Sequence, residues 1–240
     1  GILNGGGEAD WLAKRVVEIA DEQGIPPSGA VTLLREDHEN RARRLFSSNC
    51  ASCHLYNGHD GRGFPVDSNQ SAPDLAGIAS REWLEELLDY DHYVSTKYFG
   101  GTAFKDGKMA TKVLKRFDKK EKALVPKVAA LLSDIASLPY QKPLSEKDRE
   151  EGFDVFFDEL GCIDCHDIED EDEGSAPDLT GYGSRDWLTA IVADPSHERF
   201  YGKDNDRMPS FARDEKLTGE EIEILVDWLR SKPSEGSVVK

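Results

Sequence analysis

Apolar residues recur at three- and four-residue intervals along most of the chain, the spacing of amphipathic helices. Residues 8–23 place Trp11, Leu12, Val16, Ile19 and Ala20 in this pattern, and residues 37–49 place Ala42, Leu45 and Phe46. Residues 146–161 repeat it with Phe153, Phe156, Phe157 and Leu160. Helices are also predicted over 120–137 and 218–231, the latter opening with a Thr218–Glu221 capping box. Shorter ones follow Ser80 and Ser184 and carry Trp83 and Trp187. No segment alternates with a period of two, so no strand is predicted. Between 55 and 72, and between 167 and 176, Gly, Asp and Ser dominate, and the chain is expected to loop around something.

The pattern repeats. Ser71-Ala72-Pro73-Asp74-Leu75 leads through Gly77, Ser80 and Arg81 to Trp83-Leu84; Ser175-Ala176-Pro177-Asp178-Leu179 leads through Gly181, Ser184 and Arg185 to Trp187-Leu188. The offset is 104 throughout, against 112 for the cysteine pairs and 99 for the two methionines, Met109 and Met208. This is a duplicated domain whose copies differ in loop length. Two prolines in Leu138-Pro139-Tyr140-Gln141-Lys142-Pro143 favour extended backbone and mark the linker. Ser145 follows as an N-cap, with Asp148 at the third helical position. The reading is all-α: an N-terminal helical extension over 1–36, one domain over 37–140 and a second over 141–240.

The 240 residues are 38% hydrophobic and 32% charged, a thin apolar supply for two small cores. A net charge of −17 disfavours nucleic acid and anionic membrane surfaces and suits a basic partner. No run of 18 apolar residues occurs, so no membrane span is predicted. The start, Gly1-Ile2-Leu3-Asn4-Gly5-Gly6-Gly7, has neither an initiator Met nor a signal peptide. It reads as a mature terminus or the edge of a fragment whose anchor was removed.

The four cysteines form two motifs, Cys50-Ala51-Ser52-Cys53-His54 and Cys162-Ile163-Asp164-Cys165-His166. Two thiols three residues apart can each add to one vinyl group of a single haem, and the adjacent His then lies beneath the iron. An all-cysteine zinc site would not explain why a His follows both pairs. A thioredoxin-like motif lacks its βαβ context. Structural disulfides would not explain the duplication around each pair.

Each half resembles a class I cytochrome c: helix, Cys-x-x-Cys-His, loop, Pro-containing segment, short helix, Met, closing helix. The resemblance covers residues 37–137 and 146–231. It implies two covalently bound haem c groups, with His54 and His166 as proximal iron ligands and Met109 and Met208 as the sixth. Met208, followed by Pro209 and then Phe211, matches the family pattern more closely than Met109 between Lys108 and Lys112. His92 and His59 are rivals for the first iron, while His38 and His197 read as surface residues. The resemblance makes Pro73 and Pro177 carbonyl acceptors for the proximal His rings. Arg81 and Arg185 are expected to meet haem propionates. Trp83 and Trp187 are expected to pack on the macrocycle, and Tyr98, Phe99, Phe200 and Tyr201 to form haem-pocket walls.

The stretch Gly24-Ile25-Pro26-Pro27-Ser28-Gly29-Ala30-Val31-Thr32-Leu33-Leu34-Arg35-Glu36-Asp37 is similar to the junction between the last membrane helix of a bacterial cytochrome b subunit and a fused cytochrome c domain. That likeness implies the haem c portion of a quinol-oxidising cytochrome bc-type complex, facing a membrane cytochrome b/Rieske complex and a basic acceptor. The plainer alternative is a helical extension that covers the first haem. The expected function is single-electron relay between redox partners outside the cytoplasm, in the periplasm. The competing reading is a dihaem cytochrome c peroxidase-like enzyme, which needs one iron with an open sixth site. A Met candidate for each haem and the short chain argue against it, and against gas sensing by ligand displacement.

Overall fold

The computed structural model describes residues 6–66, 70–168 and 174–233, and these contain no β-strand. The first five residues, which include most of the expected cut edge, lie outside them, as do parts of both expected loops. Among the described residues nine α-helices run in order: α1 (Gly6–Gln23), α2 (Ala30–Glu36), α3 (His38–Asn49), α4 (Arg81–Leu87), α5 (Tyr90–Tyr93), α6 (Lys119–Ala136), α7 (Glu146–Asp154), α8 (Arg185–Ala193) and α9 (Gly219–Leu229).

The caps are those the sequence predicts. Ser145 accepts from the Asp148 N–H at the start of α7, and Thr218 and Glu221 close a reciprocal box at α9. Ser80 and Ser184, equivalent in the repeat, accept from the Trp83 and Trp187 N–H groups and start α4 and α8. A second capping box, Asp118 with Glu121, starts α6. Three features were not expected: α2, the short α5, and a run of tight and wide turns, with a 3₁₀ turn at Ala103–Asp106, a π turn at Met109–Val113 and a 3₁₀ turn at Leu114–Arg116. Mixed three-, four- and five-residue turns have no single period for a sequence pattern to reveal.

The helix pairing crosses the repeat. α3, which leads into the first cysteine motif, packs on α9 at the end of the second copy. α7, which leads into the second motif, packs on α6 at the end of the first. The closing helices are exchanged between the copies. The short connection between α6 and α7 gives the physical reason, because consecutive helices joined by few residues pack as neighbours. With α6 taken by α7, α3 is left for α9.

Aromatic and small residues seal the two pairs. Trp228 of α9 stacks on Tyr56 at 4.2 Å and meets Phe46 of α3 edge-on at 5.5 Å. In the other pair, a Cβ on Gly152 of α7 would lie 2.9 Å from the Leu131 side chain of α6, so glycine sets the helix separation. Arg230, just past α9, donates to the Ala136 and Ser137 carbonyls at the end of α6, so one cation caps the other closing helix. Ala79 and Gly183 hold equivalent places in the two copies and face each other: a Cβ on Gly183 would lie 2.5 Å from that of Ala79. Contact between equivalent positions is the mark of an approximate two-fold relation. One continuous core results, with Phe46 and Trp83 from the first copy and Trp187 and Trp228 from the second.

The N-terminal extension is fastened to the first copy. Arg15 holds the Asp37 carboxylate through both Nε and Nη2, at 3.1 and 2.7 Å. The Arg43 guanidinium lies 4.0 Å from the centre of the Trp11 ring, and Arg62 pairs with Glu8.

Candidate functional site

Each cysteine motif begins where a helix ends. Cys50 caps α3, and its carbonyl accepts from the Cys53 and His54 N–H groups at 3.0 and 2.8 Å. The Cys162 carbonyl accepts from Cys165 and His166 at 3.2 and 3.0 Å, over a 3₁₀ turn at Cys162–Asp164. Both pairs are thus folded into the same tight turn. All four thiols are free. Burial pushes the Cys50 thiol up to about 12 and the Cys162 thiol up to about 11, so both are held protonated at neutral pH.

The two histidines share one hydrogen bond. His54 Nδ1 lies 2.8 Å from the Pro73 carbonyl, and His166 Nδ1 lies 2.8 Å from the Pro177 carbonyl. A carbonyl only accepts, so each Nδ1 carries the proton and each Nε2 presents a lone pair. Burial holds both rings below the usual histidine range, with the Pro carbonyl opposing, and both are neutral at physiological pH. Nineteen residues separate His54 from Pro73, and eleven separate His166 from Pro177. Loops of different length converge on one geometry, which is what a fixed requirement at the histidine imposes.

The Pro segments are then locked in place. The Leu75 N–H donates to the Leu55 carbonyl, and the Leu179 N–H to that of Asp167. Trp83 Nε1 donates to the Asp74 carbonyl at 2.9 Å, and Trp187 Nε1 to that of Asp178 at 3.0 Å. The tryptophans thus brace the segment that orients each His. Tyr98 meets Trp83 edge-on, and Phe200 does the same to Trp187. Phe99 packs on Tyr93, and Tyr201 meets Phe104 of the other copy.

Sequence reasoning passed over Asp74 although it lies within the repeat. Its buried carboxylate accepts from the Asn57, Gly58 and Ala76 N–H groups at 2.8 to 2.9 Å. Its counterpart Asp178 takes the Thr180 N–H and the Arg199 guanidinium instead. The signal was the recurrence of Ala-Pro-Asp-Leu, in which an acid is kept beside a proline that already explained the turn.

The remaining candidates divide. Met109 is half-buried on the π turn, against a small cluster of Tyr93, Ala110 and Leu114. Met208 packs on the main core, and its carbonyl accepts from Asn205 Nδ2, which also reaches Ser196 Oγ. The next turn is pinned by Ser210 donating to Asp194. At Met109 the carbonyl accepts from the Leu114 N–H instead, and Thr111 Oγ1 donates to the Gly107 carbonyl of the same turn. His92 is exposed and faces Asp89, while His59 is partly buried and its Nδ1 accepts from Gly61 and Gly63. His38 and His197 are exposed, as expected.

The two arginines have protein partners in the structure. Arg185 pairs with Asp227 and Glu223 of α9, and Arg81 donates to the Lys142 carbonyl in the linker. Arg185 thus ties α8 to α9 within the second copy, and Arg81 ties the start of α4 to the linker.

The donor set fits a covalently held haem in each copy. Two free thiols sit in one turn beside a neutral imidazole, which is oriented by its Nδ1 and open at Nε2. No helix among the described residues is long and apolar enough to cross a membrane. No curated protein and no solved structure matches the chain. One family model, described as Cytochrome c, matches residues 40–132 and again 150–233.

Proposed function

Because the chain belongs to the cytochrome c family, with two cytochrome c domains in tandem, we propose that it carries two haem c groups and relays single electrons between them. The family carries covalent haem and performs haem-based electron transfer. Cys50 and Cys53 would hold the first haem and Cys162 and Cys165 the second. His54 and His166 would be the proximal ligands, with Met109 and Met208 as the sixth. Bound haem supplies one-electron Fe(III)/Fe(II) chemistry.

The chain's own residues supply orientation and shielding. Pro73 and Pro177 fix the tautomer and plane of each imidazole and raise its basicity through the Nδ1–H bond. Trp83 and Trp187 hold those prolines in place. Asn205 fixes the backbone of Met208. The observation that carries the reading is the duplicated His Nδ1–Pro carbonyl bond, reached over loops that differ by eight residues.

The finer placement is the haem c part of a quinol-oxidising cytochrome bc-type complex, working in the periplasm. Its support is the likeness of residues 24–37 to a cytochrome b–cytochrome c junction. In the structure this stretch forms α2 and the Asp37 cap of α3, fastened by Arg15. It leads directly into the first haem motif, the position a junction requires.

The test is the haem content and ligation of the purified protein. Two c-type haems per chain, both low-spin and both showing the weak near-infrared band of Met bound to ferric iron, are expected. One haem per chain, or one high-spin iron, overturns the relay and points to peroxide turnover as the next assay.

A further inference from the structure

A cavity of about 240 Å³ opens between α2, α3 and the first turn of α9. Arg35 of α2 lines it together with Asn40, Arg41, Arg44 and Ser48 of α3 and Glu221 of α9. Arg41, Arg44 and Ser48 recur at three and four residues, so α3 presents them on one face. Arg35 is brought alongside by Asn40, whose buried side chain donates from Nδ2 to the Leu34 carbonyl at 2.7 Å. That bond ties the end of α2 to the start of α3. Asp37 at the same corner accepts from the Asn40 N–H and is itself held by Arg15, so the corner is fixed from both sides.

Three guanidiniums thus share one opening. Like charges gathered in this way repel unless an anion sits among them. Arg41 is paired, with the exposed Glu220 at 3.0 Å, whereas Arg35 and Arg44 have no carboxylate partner among the described residues. Glu221, the acid in the lining, is already bound by the Thr218 N–H and Oγ1, at 2.8 and 3.0 Å.

We propose that this cavity is a binding site for a phosphate group, held by Arg35, Arg41 and Arg44 with the Ser48 hydroxyl as a further donor. The planar guanidinium fork matches two phosphate oxygens at once. Cavities for drug-sized ligands measure about 300–1,000 Å³, so this one takes the phosphate and little of what it is attached to. At physiological ionic strength charges interact over only about 8 Å, so a small anion responds to the cavity lining and not to the net −17 of the chain. Two sources supply such a group: inorganic phosphate and the headgroup of an anionic phospholipid. Val31 lies one turn before Arg35 on the same face of α2 and is 69% exposed, an apolar contact that only a phosphate carrying hydrocarbon uses. None of the lining residues belongs to a haem motif, and the proposal does not rest on the haem reading.

The experiment titrates the full-length protein with its haems by isothermal calorimetry at constant ionic strength. One titrant is inorganic phosphate and the other is monomeric dihexanoyl phosphatidylglycerol. Saturable binding at one site per chain is expected for at least one of them. Arg35→Gln with Arg44→Gln should weaken it about tenfold or more, since a hydrogen bond to a charged group contributes at least the ~1.4 kcal/mol of a tenfold change. Arg35→Lys with Arg44→Lys keeps the charge, loses the fork and should fall between the two. Lys147→Gln on α7, an exposed cation outside the cavity, should leave binding unchanged. Both arginines are exposed, and an unchanged thermal midpoint of the variants separates lost binding from lost folding.

Tighter binding of the phospholipid, brought down to that of inorganic phosphate by Val31→Ser, assigns the group to a lipid headgroup. Equal affinities that Val31→Ser leaves alone assign it to free phosphate. Either result upholds the site. Absence of saturable binding for both titrants overturns it, as does an affinity that the arginine variants leave intact. So does an equal loss in Lys147→Gln, which marks the charge of the whole surface and not the cavity.

Discussion

Replacing Trp228 by alanine tests the exchanged helix pairing directly. Trp228 belongs to the second copy, yet its ring is 8% exposed against Phe46 and Tyr56 of the first. Truncating a buried tryptophan costs about 3–5 kcal/mol, and the two aromatic pairs each contribute about 0.5–1.5 kcal/mol of that total. The loss falls on the α3–α9 contact, so the free energy of opening α3 drops by a comparable amount. Amide exchange over residues 38–49 should then accelerate by roughly two to three orders of magnitude, since about 1.4 kcal/mol is a factor of ten. Peptide-resolved hydrogen–deuterium exchange measures this, with residues 146–154 as the internal reference. Leu131→Ala in α6 should give the mirror result, loosening α7 while α3 stays protected. If Trp228→Ala loosens α7 and leaves α3 protected, each copy closes on itself and the exchanged pairing is wrong.

Four further outcomes follow from the site. Cys50→Ser with Cys53→Ser should lower the haem content from two per chain to one, measured as the pyridine haemochrome, with the second site unaffected. Asn205→Ala removes the donor to the Met208 carbonyl; the near-infrared Met–iron band should then fade at lower denaturant concentration, and Asn205→Gln should recover part of it. Asp74→Ala strips the acceptor from three N–H groups and should cost about 3 kcal/mol in chemical denaturation, more than Asp178→Ala, which removes one backbone N–H bond and the Arg199 pair. Gly152→Ala forces a methyl group against Leu131 and should cost about 1–3 kcal/mol, seen as a lower denaturation midpoint.

Much of the local structure was legible in the sequence, because caps and helices depend on near neighbours. Ser80, Ser145, Ser184 and Thr218 mark helix starts, and each accepts the N–H its position predicts. The Cys-x-x-Cys-His motifs and the two prolines were equally visible, since each is a few residues with one mechanical purpose. The pairing of α3 with α9 was not. Both closing helices present apolar faces, and periodicity cannot say which of two similar faces a helix will meet. The choice lies in the length of the α6–α7 connection, a property of the chain between the patterns. The pattern was equally silent on the partners of Arg81 and Arg185, a carbonyl in the linker and two carboxylates on α9, because these are brought near by the tertiary fold. Asp74 was hidden for another reason: its acceptor role depends on three backbone N–H groups that no side-chain pattern encodes.

The exchanged helices also govern the order in which the protein can be made. The helix that leads into Cys50 packs most extensively on α9, residues 219–229, deep in the second copy. During synthesis the first cysteine pair therefore emerges long before its own unit can close, while α7 meets α6 soon after it appears. Contacts between such distant segments form slowly. The thiols of Cys50 and Cys53 thus stay on an open chain until α9 has been made and α3 can close on it. A nascent chain that stops short of α9 carries its damage at the opposite end, in the first domain to be built.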